Sequence, residues 1–303
     1  MKLDLIKTSI ISAVMLVVTL LIHAVPALIL ITAPFLLIPG VYLCYKDKHG
    51  FYVMSGIVLI ISLIFLNLFA LQVMIGVLLS SYLIGLLLQS RASKEYMLFA
   101  LTVLLSFYAL ISIIFMQLME LLPTTKEWFT DVKDSYMALV EAELGKENIS
   151  QENINLFFTA LDQMQLQVPG LIVLLIFLLS LISLLIAMPI LRKFKVAAPN
   201  FRPLYFWRVP KSVLYLYVIA VLIKLLLTPE DVILLGIVTN LQYVLEWIIF
   251  IQGISLISFF IKVKRTPTII NVLMFIFAFI MAPITQLLGM LDLIINVKAR
   301  IKL

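Results

Sequence analysis

The sequence predicts an all-α protein, a polytopic integral membrane helical bundle of about 8–10 spans carrying an extracytoplasmic helical hairpin. Three observations predict it. Of the 303 residues, 64% are hydrophobic and 13% charged, with a mean hydropathy of +1.19; soluble domains lie nearer half apolar and a quarter charged. The apolar residues are gathered into runs of roughly 18 residues or more, the length that crosses a bilayer. The basic residues fall in short turns between those runs, as the positive-inside rule expects. Lipid satisfies no backbone N–H or C=O group, so the runs must be helices or strands of a closed barrel. Unbroken rather than alternating hydrophobicity argues against the barrel.

In chain order, spans are expected at about 5–23, 27–45, 51–68, 70–89 and 96–122, then 169–191, 211–228 and 239–262, with a final apolar region at 267–297. The first run has Lys2 and Lys7 ahead of it and small residues near Ala24, but a second run follows almost at once. It therefore reads as a span rather than a cleaved signal peptide. The stretch from Phe51 to Leu88 is too long for one crossing, so a turn is expected near Asn67–Gln72, with both residues at its polar tip. In the last region Pro283 interrupts the run. A hairpin of two half-length helices there would return Lys298, Arg300 and Lys302 to the cytoplasm; the alternative is an amphipathic helix over 286–303 lying in the interface.

Sidedness follows from the cations. With the N-terminus inside, the inner segments hold Lys2, Lys7, Lys46, Lys48, Arg91, Lys94, Arg192, Lys193, Lys195, Arg202, Arg208, Lys211, Lys262, Lys264 and Arg265, and the outer ones only Lys126, Lys133 and Lys146. The expected location is a bacterial cytoplasmic membrane with a cytoplasmic N-terminus and residues 123–168 outside. The formal charge of +6 is thus assigned to topology, not to nucleic acid.

Three segments are expected: a five-span bundle over 1–122, an acidic amphipathic hairpin over 123–168, and a second membrane bundle over 169–303. The hairpin carries Glu127, Asp131, Asp134, Glu141, Glu143, Glu147, Glu152 and Asp162. Thr124 and Glu127 have the spacing of a capping box, ahead of Phe129, Val132, Tyr136, Val140 and Leu144 at helical intervals, with Gly145 as the stop. Ser150 is the expected cap of the second helix, whose apolar face holds Ile154, Phe157, Phe158, Leu161 and Met164. The loop over 192–211 interleaves Phe194, Phe201, Tyr205, Phe206 and Trp207 with basic residues. Arg202, Phe206, Trp207 and Arg208 are its candidates for an interfacial anchor or a partner-docking surface.

No phosphate-binding loop, zinc-protease helix or nucleophile elbow occurs, and no catalytic residue or cofactor is expected. The lone Cys44 excludes an internal disulfide and reads as a small core residue, and His23 with His49 makes at most a weak metal site. Asn148-Ile149-Ser150 fits a glycosylation sequon without an expected use. Strongly polar residues inside spans are the better candidates, since each costs about 3 kcal/mol at mid-bilayer. These are Glu246, Gln242 one turn before it, Gln252, and Lys224, which either snorkels or pairs with Glu246. Asp292 is expected to cap or to pair with inner cations. Gly76, Ser80 and Gly85 are small positions for close helix approach.

The succession Phe201-Arg202-Pro203, Arg208-Val209-Pro210, Phe250-Ile251-Gln252-Gly253, Phe259-Phe260-Ile261-Lys262 and Leu288-Gly289-Met290-Leu291-Asp292 resembles the YybS-like family of bacterial membrane proteins, found chiefly in Firmicutes. That resemblance implies a membrane location and assigns no catalytic residues. The N-terminal half is also distantly similar to the substrate-binding subunits of energy-coupling-factor transporters, without their vitamin-binding signature. The function expected is therefore non-enzymatic: a transport-related or substrate-capture component acting on an unknown small molecule. The alternative is a membrane scaffold recruiting membrane or cytoplasmic protein partners.

Overall fold

The computed structural model describes residues 5–144, 151–228 and 231–301. Gly145, Ser150, Lys146, the sequon and Lys302 lie outside them, so the expected stop and second cap of the hairpin fall there too. Every regular element among the described residues is helical. In chain order these are α1 (Leu5–Ala24), α2 (Ile29–Lys46), α3 (Lys48–Phe65), α4 (Leu68–Gln89), α5 (Lys94–Leu118), α6 (Thr125–Leu144), α7 (Gln151–Lys193), α8 (Ser212–Leu226), α9 (Val232–Lys264), α10 (Thr268–Ile280), α11 (Ala282–Ile295) and α12 (Val297–Arg300). Six helices, α1, α3, α4, α5, α7 and α9, are long and apolar enough to cross a membrane. α2 has 18 apolar-rich residues, whereas α8 has only 15, roughly 22 Å at 1.5 Å per residue and short of the ~30 Å hydrocarbon core.

Contacts divide the chain into two compact units. One comprises the residues up to Leu121 with Leu175–Phe201; the other comprises Leu122–Leu174 and the residues from Arg202 on. In the first unit, side-chain caps start the helices. Asp47 accepts from the Gly50 amide, Asn67 from Ala70 and Ser93 from Tyr96, satisfying amides that a helix leaves unpaired. The turn at Asn67 is where the sequence placed it. Gln72 is not at its tip: it is buried inside α4, where its carbonyl accepts from Tyr108 Oη at 2.6 Å and its side chain from Ser112. In lipid a buried amide is stable only with partners, and α5 provides them. Gly40 faces Ser81 and Gly85 faces Cys44 so closely that a Cβ on either would clash, so small residues set the α2–α4 approach. Cys44 is fully buried in the core with Met15, Leu36, Met54 and Met74.

In the second unit, α6 opens on the expected capping box: the Thr124 amide donates to Glu127 Oε2 at 2.8 Å and the Glu127 amide to Thr124 Oγ1 at 3.2 Å. Those bonds hold the Glu127 carboxyl below its ordinary value. α6 packs on the start of α7 through Tyr136 against Phe157, ring centroids 4.1 Å apart, and a Lys133–Asp162 ion pair of 2.6 Å. Met164, expected on the packed face, is exposed.

The sequence ends the hairpin at 168 and starts a span at 169, and α7 runs unbroken through that boundary for 43 residues. Pro169 lacks the N–H that would bond the Gln165 carbonyl and crowds the preceding turn. Asn240 of α9 braces the adjoining turn: its Oδ1 accepts from the Gly170 amide at 2.6 Å and its Nδ2 donates to the Leu166 carbonyl at 2.7 Å. Gly170 leaves it room, since a Cβ there would lie 3.0 Å from Asn240 Oδ1.

α10 and α11 meet at a 99° bend. Thr285 ties the corner, its hydroxyl donating to the Ala278 carbonyl at 2.8 Å and lying 3.3 Å from that of Met281. α11 crosses α9 steeply, because Thr285, Gly289 and Asp292 all meet the single turn Ile249–Gly253. Glycine is required on both sides of that crossing: a Cβ on Gly253 would strike the Thr285 carbonyl, and one on Gly289 the Ile249 carbonyl.

Candidate functional site

The second unit gathers three segments far apart in sequence around one buried polar cluster. Loop 202–211 carries a short 3-10 turn at Leu204–Phe206 and lies on α9. Its chain is fastened by main-chain groups. The Val209 amide donates to Gln252 Oε1 at 2.9 Å, and the carbonyls of Leu204 and Trp207 accept from Ser255 Oγ at 2.6 and 2.8 Å. Lys298, just past α11, donates to the Trp207 carbonyl at 2.9 Å and to Ser255 Oγ at 2.6 Å. Asp292, 4% exposed, accepts from Gln252 Nε2 at 2.5 Å and from the Lys298 amide at 3.2 Å, with the Lys298 ammonium 3.7 Å away. Burial pushes the Lys298 ammonium below the ordinary lysine value, and the facing Asp292 charge opposes that shift. The cluster is self-satisfying, which buried polar groups must be to persist. Its chemistry is that of a latch joining loop, helix and tail.

Gln252 sits here, apart from the other intramembrane candidates. Glu246 and Gln242 do meet one turn apart on α9, Gln242 Nε2 donating to Glu246 Oε1 at 2.8 Å, with Tyr217 Oη of α8 at 3.4 Å. No ion pair joins Lys224 to Glu246 among the described residues. The carboxylate is taken instead by the amide and the phenol, and Lys224 stands half-buried in the last turn of α8. Of the loop candidates, Trp207 Nε1 donates to the Arg202 carbonyl at 3.0 Å, while the side chains of Arg202, Phe206 and Arg208 are exposed. Asp292 faces Lys298, a cation of the C-terminal tail. Ser255 and Lys298 were missed, because a serine in an apolar run and a lysine in a basic tail carry no periodic signal. His23 Nδ1 accepts from the Asn67 amide at 3.3 Å.

The cluster also explains the topology of the last region. α8 leaves the loop antiparallel to α9, Tyr217 meeting Glu246, so α9 beyond Gln252 runs toward the loop's side. Lys264 lies nine residues past Ser255 on the same helix, roughly 13 Å further that way. Lys298 at the far end of the bent pair returns to the loop. Lys264 and Lys298 thus both lie toward the loop, at the two ends of the bent pair.

In the first unit a cavity of about 180 Å³ lies among α2, α4, α5 and α7. Its wall is apolar apart from Tyr108 and three serines. The Tyr108 hydroxyl is spent on Gln72 and that of Ser80 on the Gly76 carbonyl. Ser180, 1% exposed, has no hydrogen-bond partner among the described residues.

Unbroken apolar helices, glycine-set crossings and polar groups paired inside the fold together define a polytopic helical membrane protein. Residues 11–294 match the family described as predicted membrane protein DUF2232, and the chain belongs to that family. It is similar to the uncharacterized protein YybS of Bacillus subtilis (strain 168), 32% identical over 167 residues, which is 54% of each chain. The chain thus spans about half the length of that relative. No solved structure matches it. The family is described by its membrane location alone, and neither comparison indicates an enzyme.

Proposed function

We propose that the chain is the capture component of a transport process in a bacterial cytoplasmic membrane, taking up a small, largely apolar molecule with one hydrogen-bonding group. The observation that supports this reading is the cavity in the first unit with its unpartnered Ser180 hydroxyl. At about 180 Å³ it is a little larger than the ~150 Å³ engineered apolar cavity that holds benzene, and a buried hydroxyl without a partner costs about 1–3 kcal/mol unless a ligand supplies one. The sequence has no nucleotide-binding motif, so energy would come from partner proteins. In this reading the N-terminus and the 202–211 loop face the cytoplasm and the α6–α7 hairpin faces out, consistent with the distribution of cations. Protein purified from its native membrane should release a stoichiometric small molecule on denaturation, identified by mass spectrometry. Ser180→Ala should weaken retention about tenfold, the worth of one hydrogen bond, and Ser180→Leu should abolish it. Identical small-molecule profiles for wild type and Ser180→Leu would end the reading.

A second reading, a scaffold that recruits a cytoplasmic partner, is favoured by one observation: the loop is held by its main chain while Arg202, Phe206 and Arg208 are left outward. The triple change R202A/F206A/R208A spares every bond of the latch. It should abolish recovery of that partner in a mild-detergent pull-down; unchanged recovery removes this reading.

A further inference from the structure

We infer that the bent α10–α11 pair forms a binding site for one anionic phospholipid, with an acyl chain in the groove of α9, α10 and α11 and the phosphate on Lys264 and Arg265. The groove holds about 550 Å³, within the ~300–1,000 Å³ range of small-molecule sites. Ile257, Ile270, Met274, Phe277 and Leu288 are among its lining residues, and Thr285 is its single polar one. The Thr285 hydroxyl is already committed to the Ala278 and Met281 carbonyls. Nothing in the groove therefore asks for a polar group, and hydrocarbon is the matching occupant.

The headgroup end is set by charge. Lys264 and Arg265 are exposed, and neither has an acidic partner among the described residues; Lys262 points to the other side of α9 from Lys264. No Asp or Glu occurs in sequence between Glu246 and Asp292. Ile257 and Lys264 are seven residues apart on α9, which puts them on one face with the ammonium roughly 10 Å along the axis from the groove wall. α10 starts three residues after Arg265, and Ile270 in its first turn already lines the groove. The phosphate site thus lies at the rim and the hydrocarbon path runs from it along α10 to the bend. Basic rims beside interhelical grooves are how membrane proteins recognise anionic headgroups. An acyl chain in this groove would also cover Leu273, Ile276 and Phe277, which are otherwise more than half exposed.

The test uses the full chain in phosphatidylcholine nanodiscs containing a rising fraction of phosphatidylglycerol, with retained lipid read by native mass spectrometry after transfer to detergent. One phosphatidylglycerol per chain should be retained in roughly tenfold preference to phosphatidylcholine, the order that surface cations supply. The variant K264Q/R265Q should lose that preference; these side chains are exposed, so the fold is spared. Leu273→Trp, which narrows the groove, should lower retention of both lipids with the cations intact. Retention without preference in the wild type, or preference surviving the double change, would overturn the inference. Displacement of the lipid by inorganic phosphate would overturn it as well, because the site would then read the anion alone.

Discussion

Asp292 shows what a buried ion in this protein depends on. Its carboxylate has three protein donors within 3.7 Å, and the Gln252 and Lys298 side chains also bond the loop. Asp292→Leu strands Gln252 Nε2 and leaves the Lys298 ammonium without its counter-charge. Leaving buried polar groups unpaired costs about 1–3 kcal/mol, more for charges, so the expected loss is roughly 3 kcal/mol. Asp292→Leu with Lys298→Met removes both charges and should recover part of that loss, as paired apolar replacements do. Unfolding curves in detergent, followed by circular dichroism, measure the cycle. A double variant as weak as the sum of the singles would show that the two residues act independently. Single residues were legible in the sequence where chemistry is rare, as with Glu246, Gln252 and Asp292 in apolar surroundings. Their partners were not. Ser255 and the Trp207 carbonyl are recruited by folding, and a linear reading cannot see an acceptor supplied by the main chain. Gln72 was misplaced for the same reason: without knowledge of Tyr108 and Ser112 on α5, a polar residue near a turn is more economically put at its tip.

Elements were read best where local chemistry alone decides them. The Thr124–Glu127 box and the Asn67 turn are short-range and both formed. A tertiary contact is not legible in this way, and α7 is the clearest instance. Pro169-Gly170 would weaken an isolated helix, yet Asn240, seventy residues away, braces the turn that holds them. Asn240→Leu should therefore cost roughly 2–4 kcal/mol, the sum for an orphaned Gly170 amide and Leu166 carbonyl, and should let α7 bend at Pro169. Hydrogen exchange at Gly170 reports this directly: its protection should fall in the variant, and protection equal to wild type would show that the asparagine is not the clamp. The crossing of α9 and α11 has the same character. Gly253 and Gly289 appear in the sequence as ordinary glycines, and only the fold reveals that backbone carbonyls occupy the space of their missing side chains.

At the scale of the whole molecule, the bundle and its membrane class were legible because hydropathy is a bulk property that no single contact can reverse. The number of crossings was harder. α8 is shorter than its apolar run promised, and the last region is bent by 99° between α10 and α11. Placing Lys298 on the Trp207 carbonyl makes the tail and the 202–211 loop neighbours, and this yields a test of sidedness. In a Cys44→Ala background, single cysteines at Phe206 and Ala299 should react with a membrane-impermeant maleimide from the same face of sealed vesicles. A cysteine at Leu139 on α6 should react from the opposite face. Labelling of positions 206 and 299 from different faces would exclude a re-entrant α10–α11.

The latch also imposes a delay on biogenesis. Lys298 follows Trp207 by 91 residues, and at about 5–20 residues per second of synthesis the ribosome delivers that lysine roughly 5–20 s after the loop it secures. Ser255 follows Trp207 by 48 residues, so for about the first half of that interval the carbonyls of Leu204 and Trp207 depend on water, and after it on Ser255. A translocon partner or chaperone that shields nascent polar turns would act on this protein within that window, while the loop still lacks its final bond.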